Sequence, residues 1–427
     1  MALCCTIYTM NGSNDLLIKS LNYIWLAAPL WLPFILGYIA WTTFVRYNRR
    51  RFFTSQKYSL LEIRVPKEVA KSPVAMELFL NTVWQTSGES TWYDRNFLGK
   101  TRPWFSLEIV SMGGFIHFFI WTRASWQKHI ESQIYAQYPG AEVSFVSDYA
   151  KKIPSYDPNV MSMFGTEYKL GKADPYPIKT YVDYGLNETA TKEEQKVDPI
   201  SQVLEFLGQL GKDEQFWFQI LCRAHKDEDP DSSKRIWWQP MTWNATKDNW
   251  KDQATAIVKK IRSDNTSKFK DPVSGKEQEG FPNLTKGQMD IISAVERSVS
   301  KVGFDIGLRS IYIAPKESFN GTNISMLMGL LKPYNSPTLN GFRPTNNTSF
   351  DFPWEDWNNI RANKMKRDLL FGYQKRSFFF PPNKEKHCVL NAEELATIFH
   401  FPGTVVSTPT LGRLLSKKAE PPSNLPI

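Results

Sequence analysis

An uncharged apolar stretch of 25 residues, 21–45, is the first feature of the chain. At about 1.5 Å per residue, a helix of this length measures roughly 37 Å, enough to cross a ~30 Å hydrocarbon core. Its apolar residues cover every side of a helix, and its Tyr and Trp residues lie towards both ends, as is typical of a membrane span. The pattern therefore predicts one transmembrane helix over residues 21–45, after a short extracytoplasmic segment, 1–20.

Residues 46–150 show alternating and helical apolar spacings in the order β-α-β-β-α-β. Strands are predicted over residues 58–65, 105–111, 115–121 and 141–147, with helices over 72–86 and from 126 to 138. Gly113 and Gly114 separate the second and third strands as a tight hairpin. This order is the ferredoxin-like arrangement. Both faces of strand 115–121 are apolar, so we expect helices to cover one face and a partner to cover the other.

A second α+β unit is predicted over residues 198–360, after a proline-containing linker, 151–197, with one strand over 180–184. Its predicted elements are helices over 199–210, 247–262, 285–302 and 320–331 and strands over 215–222 and 304–314. We expect it to repeat the plan of the first unit with an insertion. The fold class is thus α+β: a transmembrane helix, a ferredoxin-like domain, a second α+β domain and a connector, 361–427.

Positive charge is concentrated in two places along the chain. Lys and Arg number 52 against 43 Asp and Glu, a net charge of +9. Arg46, Arg49, Arg50, Arg51 and Lys57 directly follow the apolar run, and no acidic residue lies among them. The excess of basic residues on this side predicts that the N-terminus lies outside and the bulk of the chain in the cytoplasm. The expected location is a bacterial inner membrane.

Residues 361–386 hold the second concentration, eight basic residues against two acidic ones. Without these two clusters the rest of the chain carries a net charge of −2, which argues against nucleic-acid binding spread over the folded domains. A partner, lipid head groups or DNA would suit this cluster, and a solvated connector remains the alternative. The candidate contact residues are Lys364, Lys366, Arg367, Lys375 and Arg376.

Motifs for catalysis are absent from the 427 residues. A P-loop requires G-x-x-x-x-G-K-[ST], but Asp94 stands where Gly99-Lys100-Thr101 would need the first glycine. The patterns G-x-S-x-G, H-E-x-x-H, C-x-x-C and G-x-G-x-x-G are also missing. We therefore predict no catalytic, cofactor or metal site, and we expect the carboxylate pair Glu393-Glu394 to be solvated. Aromatic packing of an inserted helix on the sheet is expected for Trp237, Trp238, Trp243 and Trp250, with a nucleic-acid or peptide groove as the alternative.

Several stretches resemble the membrane-anchored N-terminal region of bacterial conjugation and type IV secretion ATPases of the coupling-protein-like group. They are SLEIVSMGGFIHFFIW (106–121), HIESQIYAQYP (129–139), DY (148–149), PIKTY (177–181), DP (198–199), VLNAEELATIFHFPG (389–403) and EPPSNLP (420–426). Asn391 and Glu394 in the sixth stretch predict a capping box at the start of a helix, with Leu395, Ile398 and Phe399 as its apolar face.

In that family a segment similar to residues 389–403 leads into a RecA-like motor domain, whereas this chain stops at Ile427. The resemblance implies a non-catalytic, membrane-tethered component of a conjugation-like DNA or protein transfer system, which docks a separate motor ATPase. The alternatives are a membrane-held DNA-binding module and the truncated half of a transfer ATPase. Expected partners are membrane lipid, the motor ATPase and a second copy of the chain, with DNA as a weaker choice.

Overall fold

The computed structural model describes residues 19, 23, 25–66, 71–89, 91–153, 155–187, 197–226, 228–229, 246–247, 250–270, 277–350, 352, 354–381 and 383–402. Trp237, Trp238, Trp243, residues 1–18 and residues 403–427 lie outside this description. The chain divides into two compact units. The first contains residues up to 56 together with 88–101, and the second contains 57–87 and the chain from 102 onward.

The first unit is built on one long helix, α1 (Ala28–Ser55), which continues ten residues past the predicted apolar run. A second, short helix, α3 (Trp92–Asn96), follows in this unit, and the Thr91 side chain caps its N-terminus. Trp41 of α1 stacks on Trp92 with ring centroids 5.9 Å apart. Gly99 has φ +63°, and a Cβ there would lie 2.5 Å from the Asn48 carbonyl. A glycine is therefore required where this loop meets α1.

The second unit contains a nine-stranded antiparallel sheet with the order β12-β5-β11-β6-β2-β3-β1-β4, and β13 pairs with the remaining length of β11. Its strands are β1 (Tyr58–Arg64), β2 (Trp104–Met112), β3 (Phe115–Arg123), β4 (Glu142–Val146), β5 (Met161–Leu170), β6 (Gln215–Ala224), β11 (Gly303–Pro315), β12 (Phe342–Thr345) and β13 (Cys388–Asn391). Two small ribbons, β7 (Glu228–Asp229) with β8 (Thr246–Lys247) and β9 (Thr266–Lys270) with β10 (Glu277–Pro282), lie outside it. The fold is mixed α and β, with an apolar helix near the N-terminus.

The helices of the second unit lie close to the predicted positions, except the helix at residues 360–375, which occupies part of the region predicted as a basic connector. They are α2 (Val74–Val83), α4 (Gln127–Gln137), α5 (Pro199–Gly208), α6 (Trp250–Asp264), α7 (Lys286–Ser300), α8 (Thr322–Met328), α9 (Ile360–Lys375) and α10 (Ala392–Ile398). Asp198 caps α5 by accepting from the Ile200 amide, and Pro199 occupies its first turn. Thr285 and Gln288 form a capping box on α7.

Two sets of four strands follow the same connection order along the chain. The first set runs β1-α2-β2-β3-α4-β4 and lies in the spatial order β4-β1-β3-β2. Gly113 and Gly114 have φ +61° and +82°, so the predicted tight hairpin between β2 and β3 is confirmed. The second set runs β5-α5-β6-β11-α8-β12, with α6 and α7 inserted, in the order β12-β5-β11-β6. Strands β2 and β6 pair side by side and join the sets, with Glu108 opposite Gln219.

The region predicted as a linker contains an interior strand of the sheet instead. β5 (Met161–Leu170) lies within residues 151–197 and pairs with both β11 and β12. The strand predicted over 180–184 is wrong, because these residues form turns in which Asp183 Oδ2 accepts from the Thr180 amide at 2.8 Å. The second half of the sheet therefore begins well before residue 198.

Five helices, α2, α4, α5, α8 and α10, pack on one face of the sheet around a continuous apolar core. The chain from α9 to Phe380 covers part of the other face. Gly307 of β11 leaves the space that this segment needs, since a Cβ there would lie 2.5 Å from the Phe378 ring. The expectation that a partner covers strand 115–121 is wrong for much of its length. Phe119 stacks on Tyr149 at 5.0 Å, and Trp121 lies 5.8 Å below the Arg376 guanidinium.

Candidate functional site

The end of the described chain forms a buried junction that we call the α10 hub, comprising β13, α10 and residues 399–402. Every side chain of α10 is buried. The Asn391 side chain accepts from the Glu394 amide at 2.8 Å, and Glu394 Oε2 accepts from the Asn391 amide at 2.9 Å. The predicted capping box is thus confirmed. β13 pairs with β11, so the hub is part of the sheet.

Residues 177–181 contact the hub through two backbone amides. The Ile178 amide donates to Glu394 Oε1 at 2.8 Å, and the Tyr181 amide donates to Thr397 Oγ1 at 2.9 Å. Burial raises the pKa of Glu394 to about 8, with repulsion from Glu393 adding to it and the Asn391 and Ile178 amides opposing it. Glu394 therefore joins two of the stretches that carry the family resemblance.

Asp198 and His400 form a buried ion pair at the edge of the hub. His400 Nε2 lies 3.1 Å from both carboxylate oxygens of Asp198, and its Nδ1 lies 2.9 Å from the Ala396 carbonyl. Because both ring nitrogens face acceptors, the imidazole is satisfied only as a doubly protonated donor. Burial lowers the pKa of His400, but the charge of Asp198 and the hydrogen bonds outweigh burial and raise it.

Aromatic side chains from β3 and α4 complete the hub. Phe401 lies edge-on to Phe118 at 5.3 Å and to Tyr138 at 4.9 Å, and Phe399 lies edge-on to Phe118 at 5.8 Å. Residues 106–121, 129–139, 177–181, 198–199 and the described part of 389–403 thus meet at the α10 hub. The stretch 148–149 does not, because Asp148 pairs with Arg376 on the other face of the sheet.

Glu393 and Glu394 are buried, so the expectation that this pair is solvated is wrong. Lys301 donates to Glu393 at 2.7 Å and to Glu77 at 2.6 Å, and Arg297 also pairs with Glu393. Burial raises the pKa of Glu393, but the cations offset burial and lower it below its usual value. These contacts connect α10 to α2 and to the end of α7.

A polar cluster lies between the sheet and the end of α9, on the face opposite the hub. Arg376 is 1% exposed and donates to Glu108 and Asp148 at distances of 2.6 to 3.1 Å. Glu108 also accepts from Gln219 at 2.7 Å and Tyr149 at 2.8 Å. Burial raises the pKa of Glu108, but the Arg376 charge outweighs burial and lowers it. Arg376 therefore holds the α9 segment against the sheet and lacks the exposure that a phosphate contact needs.

The other candidate contact residues on α9 divide into two groups. Lys364, Arg367 and Lys375 are exposed and recur on one side of the helix, whereas the buried side presents Leu370 and Tyr373 to the sheet. Lys366 lies 5.5 Å above the Tyr156 ring, and burial lowers its pKa. Of the predicted set, three cations are thus available to a partner on the outer face of α9.

A surface missed by the sequence analysis directly precedes this helix. It consists of the exposed large apolar side chains between Phe352 and Ile360. Among them, Trp354 and Trp357 are 76% and 79% exposed. In the sequence, the signal for this surface was two tryptophans within four residues beside a basic cluster.

A second group that the sequence analysis missed surrounds Asp305. Asp305 is buried and accepts from Arg223 at 2.7 Å and from His225 at 2.6 Å, which connects β6 to β11.

A family model described as a domain of unknown function, DUF8128, matches residues 48–412. The chain belongs to this family. The DUF8128 match begins inside α1 and includes the whole described second unit, with the exposed and the buried side of α9. No curated protein matches the chain.

By length and composition, α1 is long and apolar enough to cross a membrane. Its large apolar side chains are exposed, including Leu30, Phe34 and Tyr38 at 58% or more. The predicted flanking residues Arg46, Arg50 and Arg51 are exposed near its C-terminal end, and Arg49 is half-buried. Among the described residues, no group of three or more His, Cys, Asp or Glu side chains could hold a metal ion.

Proposed function

We propose that this DUF8128 protein is a membrane-tethered, non-catalytic component of a conjugation-like transfer system and that it docks a partner motor ATPase. The α10 hub carries the proposal. In the resembling ATPases, a segment similar to residues 389–403 precedes the motor. Here the described part of that segment, residues 389–402, is capped, buried and connected to the sheet. A motor that engages the chain beyond Pro402 would be held by a rigid attachment.

The tether in this proposal is α1. Its exposed apolar surface suits lipid, since exposing so many large apolar side chains to water is unfavourable. The arginines at its C-terminal end favour a cytoplasmic location for the residues that follow, with the N-terminus outside the bacterial inner membrane. The second unit would then lie on the side where a cytoplasmic ATPase works.

Each half of the sheet is proposed to be a ferredoxin-like domain. The connection order β-α-β-β-α-β with the strand order β4-β1-β3-β2 supports this for the first half. The same order, β12-β5-β11-β6, supports it for the second half, with α6 and α7 as the insertion. The second domain would then begin at β5, and the two would form one platform beneath the hub.

The proposal is tested by purifying the tagged full chain in mild detergent from its native membranes and identifying co-purifying proteins. We expect a P-loop ATPase to be enriched over an unrelated single-span protein purified in parallel. Asp198→Asn removes the charge that pairs with His400, and it should lower ATPase recovery while circular dichroism stays unchanged. Absence of any enriched P-loop ATPase from the wild-type sample would overturn the proposal.

A second candidate function is DNA binding at the membrane, and the outer face of α9 favours it. Lys364, Arg367 and Lys375 lie on one exposed side of the helix with Phe371, a combination of cations and an aromatic ring. Three phosphate contacts predict that log K falls with log salt at a slope of about −2 to −3. Salt titration with labelled oligonucleotides measures this slope, and a lack of binding at low salt rejects the candidate.

A further inference from the structure

The segment before α9 presents an unusual apolar surface, which we call the Trp loop. It consists of Phe352, Trp354, Trp357 and Ile360, which are 50%, 76%, 79% and 65% exposed. Phe352 and Trp354 stack on each other with ring centroids 4.7 Å apart. Large apolar side chains exposed together in this way usually mark an interaction surface.

The backbone of the Trp loop is fixed by its own hydrogen bonds. Asp356 accepts from the Arg361 amide at 2.8 Å and from the Ala362 amide at 2.7 Å, which satisfies two donors at the start of α9. Asn358 and Asn359 have φ +56° and +57°, a conformation that asparagine tolerates better than most residues. The loop therefore displays Trp357 and Ile360 from a defined turn.

Cations continue the surface along α9. Lys364, Arg367 and Lys375 follow Ile360 at intervals of four, seven and fifteen residues, which places them on the same side of the helix. Trp, Phe and Ile beside Lys and Arg form the combination that membrane-surface segments use. The aromatic rings suit the level of the head groups, and the cations complement anionic lipid.

We propose that the Trp loop and the outer face of α9 lie on the surface of an anionic bilayer. This inference rests on the proposed tether, because α1 would keep the second unit near the membrane. The tether raises the effective concentration of the surface at the bilayer, so a weak second contact becomes sufficient. A protein or an oligonucleotide on the same surface would be a competing occupant that the experiment can identify.

The test introduces the photoreactive amino acid p-benzoylphenylalanine at single positions of the full chain. The chain is reconstituted in nanodiscs that contain phosphatidylglycerol and illuminated, and adducts are identified by mass spectrometry. Trp357→p-benzoylphenylalanine should yield a phospholipid adduct. Phe115→p-benzoylphenylalanine is the matched control, since Phe115 is 61% exposed on the β2–β3 hairpin and lies outside the surface. Leu36→p-benzoylphenylalanine reports on the tether.

The outcomes separate the two proposals. A lipid adduct at Leu36 without one at Trp357 overturns the surface contact and leaves the tether intact. No adduct at either position overturns both. Illumination in native membranes also exposes the Trp357 position to proteins and nucleic acids. If its main adduct there is a polypeptide or an oligonucleotide, the proposed lipid contact is overturned.

Charge variants provide a second measurement of the same contact. Arg367→Glu should lower the Trp357 lipid adduct by at least about fivefold, because each basic residue at an anionic surface strengthens binding by about that factor. Lys128→Glu changes an exposed cation on α4 and should leave the adduct unchanged. An equal yield in nanodiscs of phosphatidylcholine alone would contradict the role of the cations.

Discussion

Replacing Arg376 with methionine tests how the second face of the sheet is held together. The guanidinium is almost fully buried between Glu108 and Asp148, and it bonds to both carboxylates. Methionine keeps much of the apolar length but removes the charge. Glu108 then remains a completely buried carboxylate with only neutral hydrogen-bond donors.

The variant should lose stability because the remaining Glu108 carboxylate is buried without its cation. Removing one partner of a buried pair costs about 3–5 kcal/mol. At a urea slope of roughly 3 kcal/mol/M, the midpoint of unfolding should fall by more than about 1 M. The pKa of Glu108, which Arg376 lowers in the wild type, should rise in the variant. The deficit should therefore grow as pH rises, because the variant must then bury an ionised group.

The measurement is urea unfolding of the full chain in detergent, followed by tryptophan fluorescence at several pH values. Lys375→Met is the matched control, since it removes the exposed cation next to Arg376 and should change stability by less than about 0.5 kcal/mol. Adding Glu108→Gln to Arg376→Met should recover much of the loss. A deficit that is independent of pH, or one that matches the control, would refute this account of the cluster.

Three further predictions concern the packing of the sheet and the hub. Gly307→Ala should cost about 1–3 kcal/mol in urea unfolding because its Cβ would overlap Phe378, whereas Gly287→Ala, which meets open space, should not destabilise the chain. The His400–Asp198 pair should contribute fully between about pH 4 and 6.5, and its contribution should fall as pH rises through the raised pKa of His400; Asp198→Asn should remove this dependence. Glu394→Gln should remove a separate loss of stability between about pH 4.5 and 8, measured by thermal unfolding across that range.

Local patterns in the sequence predicted the elements of the first half of the sheet and the capped helix of the hub. These features depend on residues close in sequence, such as the two hairpin glycines and the Asn391–Glu394 capping box. Strand β5 was missed because its flanks contain prolines and turn residues. The strand predicted over residues 180–184 was wrong because Asp183 accepts a hydrogen bond from the Thr180 amide and closes a turn.

Counting the charged residues within one stretch of sequence predicted the candidate site less well than local patterns predicted the helices and strands. Arg376 contributes to the basic cluster in sequence, but its partners Glu108 and Asp148 lie 268 and 228 residues away. Glu393 is likewise neutralised by Arg297 in α7 and by Lys301, which directly follows α7. A local count includes neither set of partners, so it could not distinguish the exposed cations of α9 from the buried one.

The pairing of β2 with β6 determines how the two halves of the second unit can move. Nine residue pairs run from Trp104–Arg223 to Met112–Gln215 along this seam. A hinge between the halves would have to break this ladder of hydrogen bonds, so bending and twisting of a single sheet are the motions that cost least. Strands on the two sides of this seam are therefore expected to move together rather than as two independent domains.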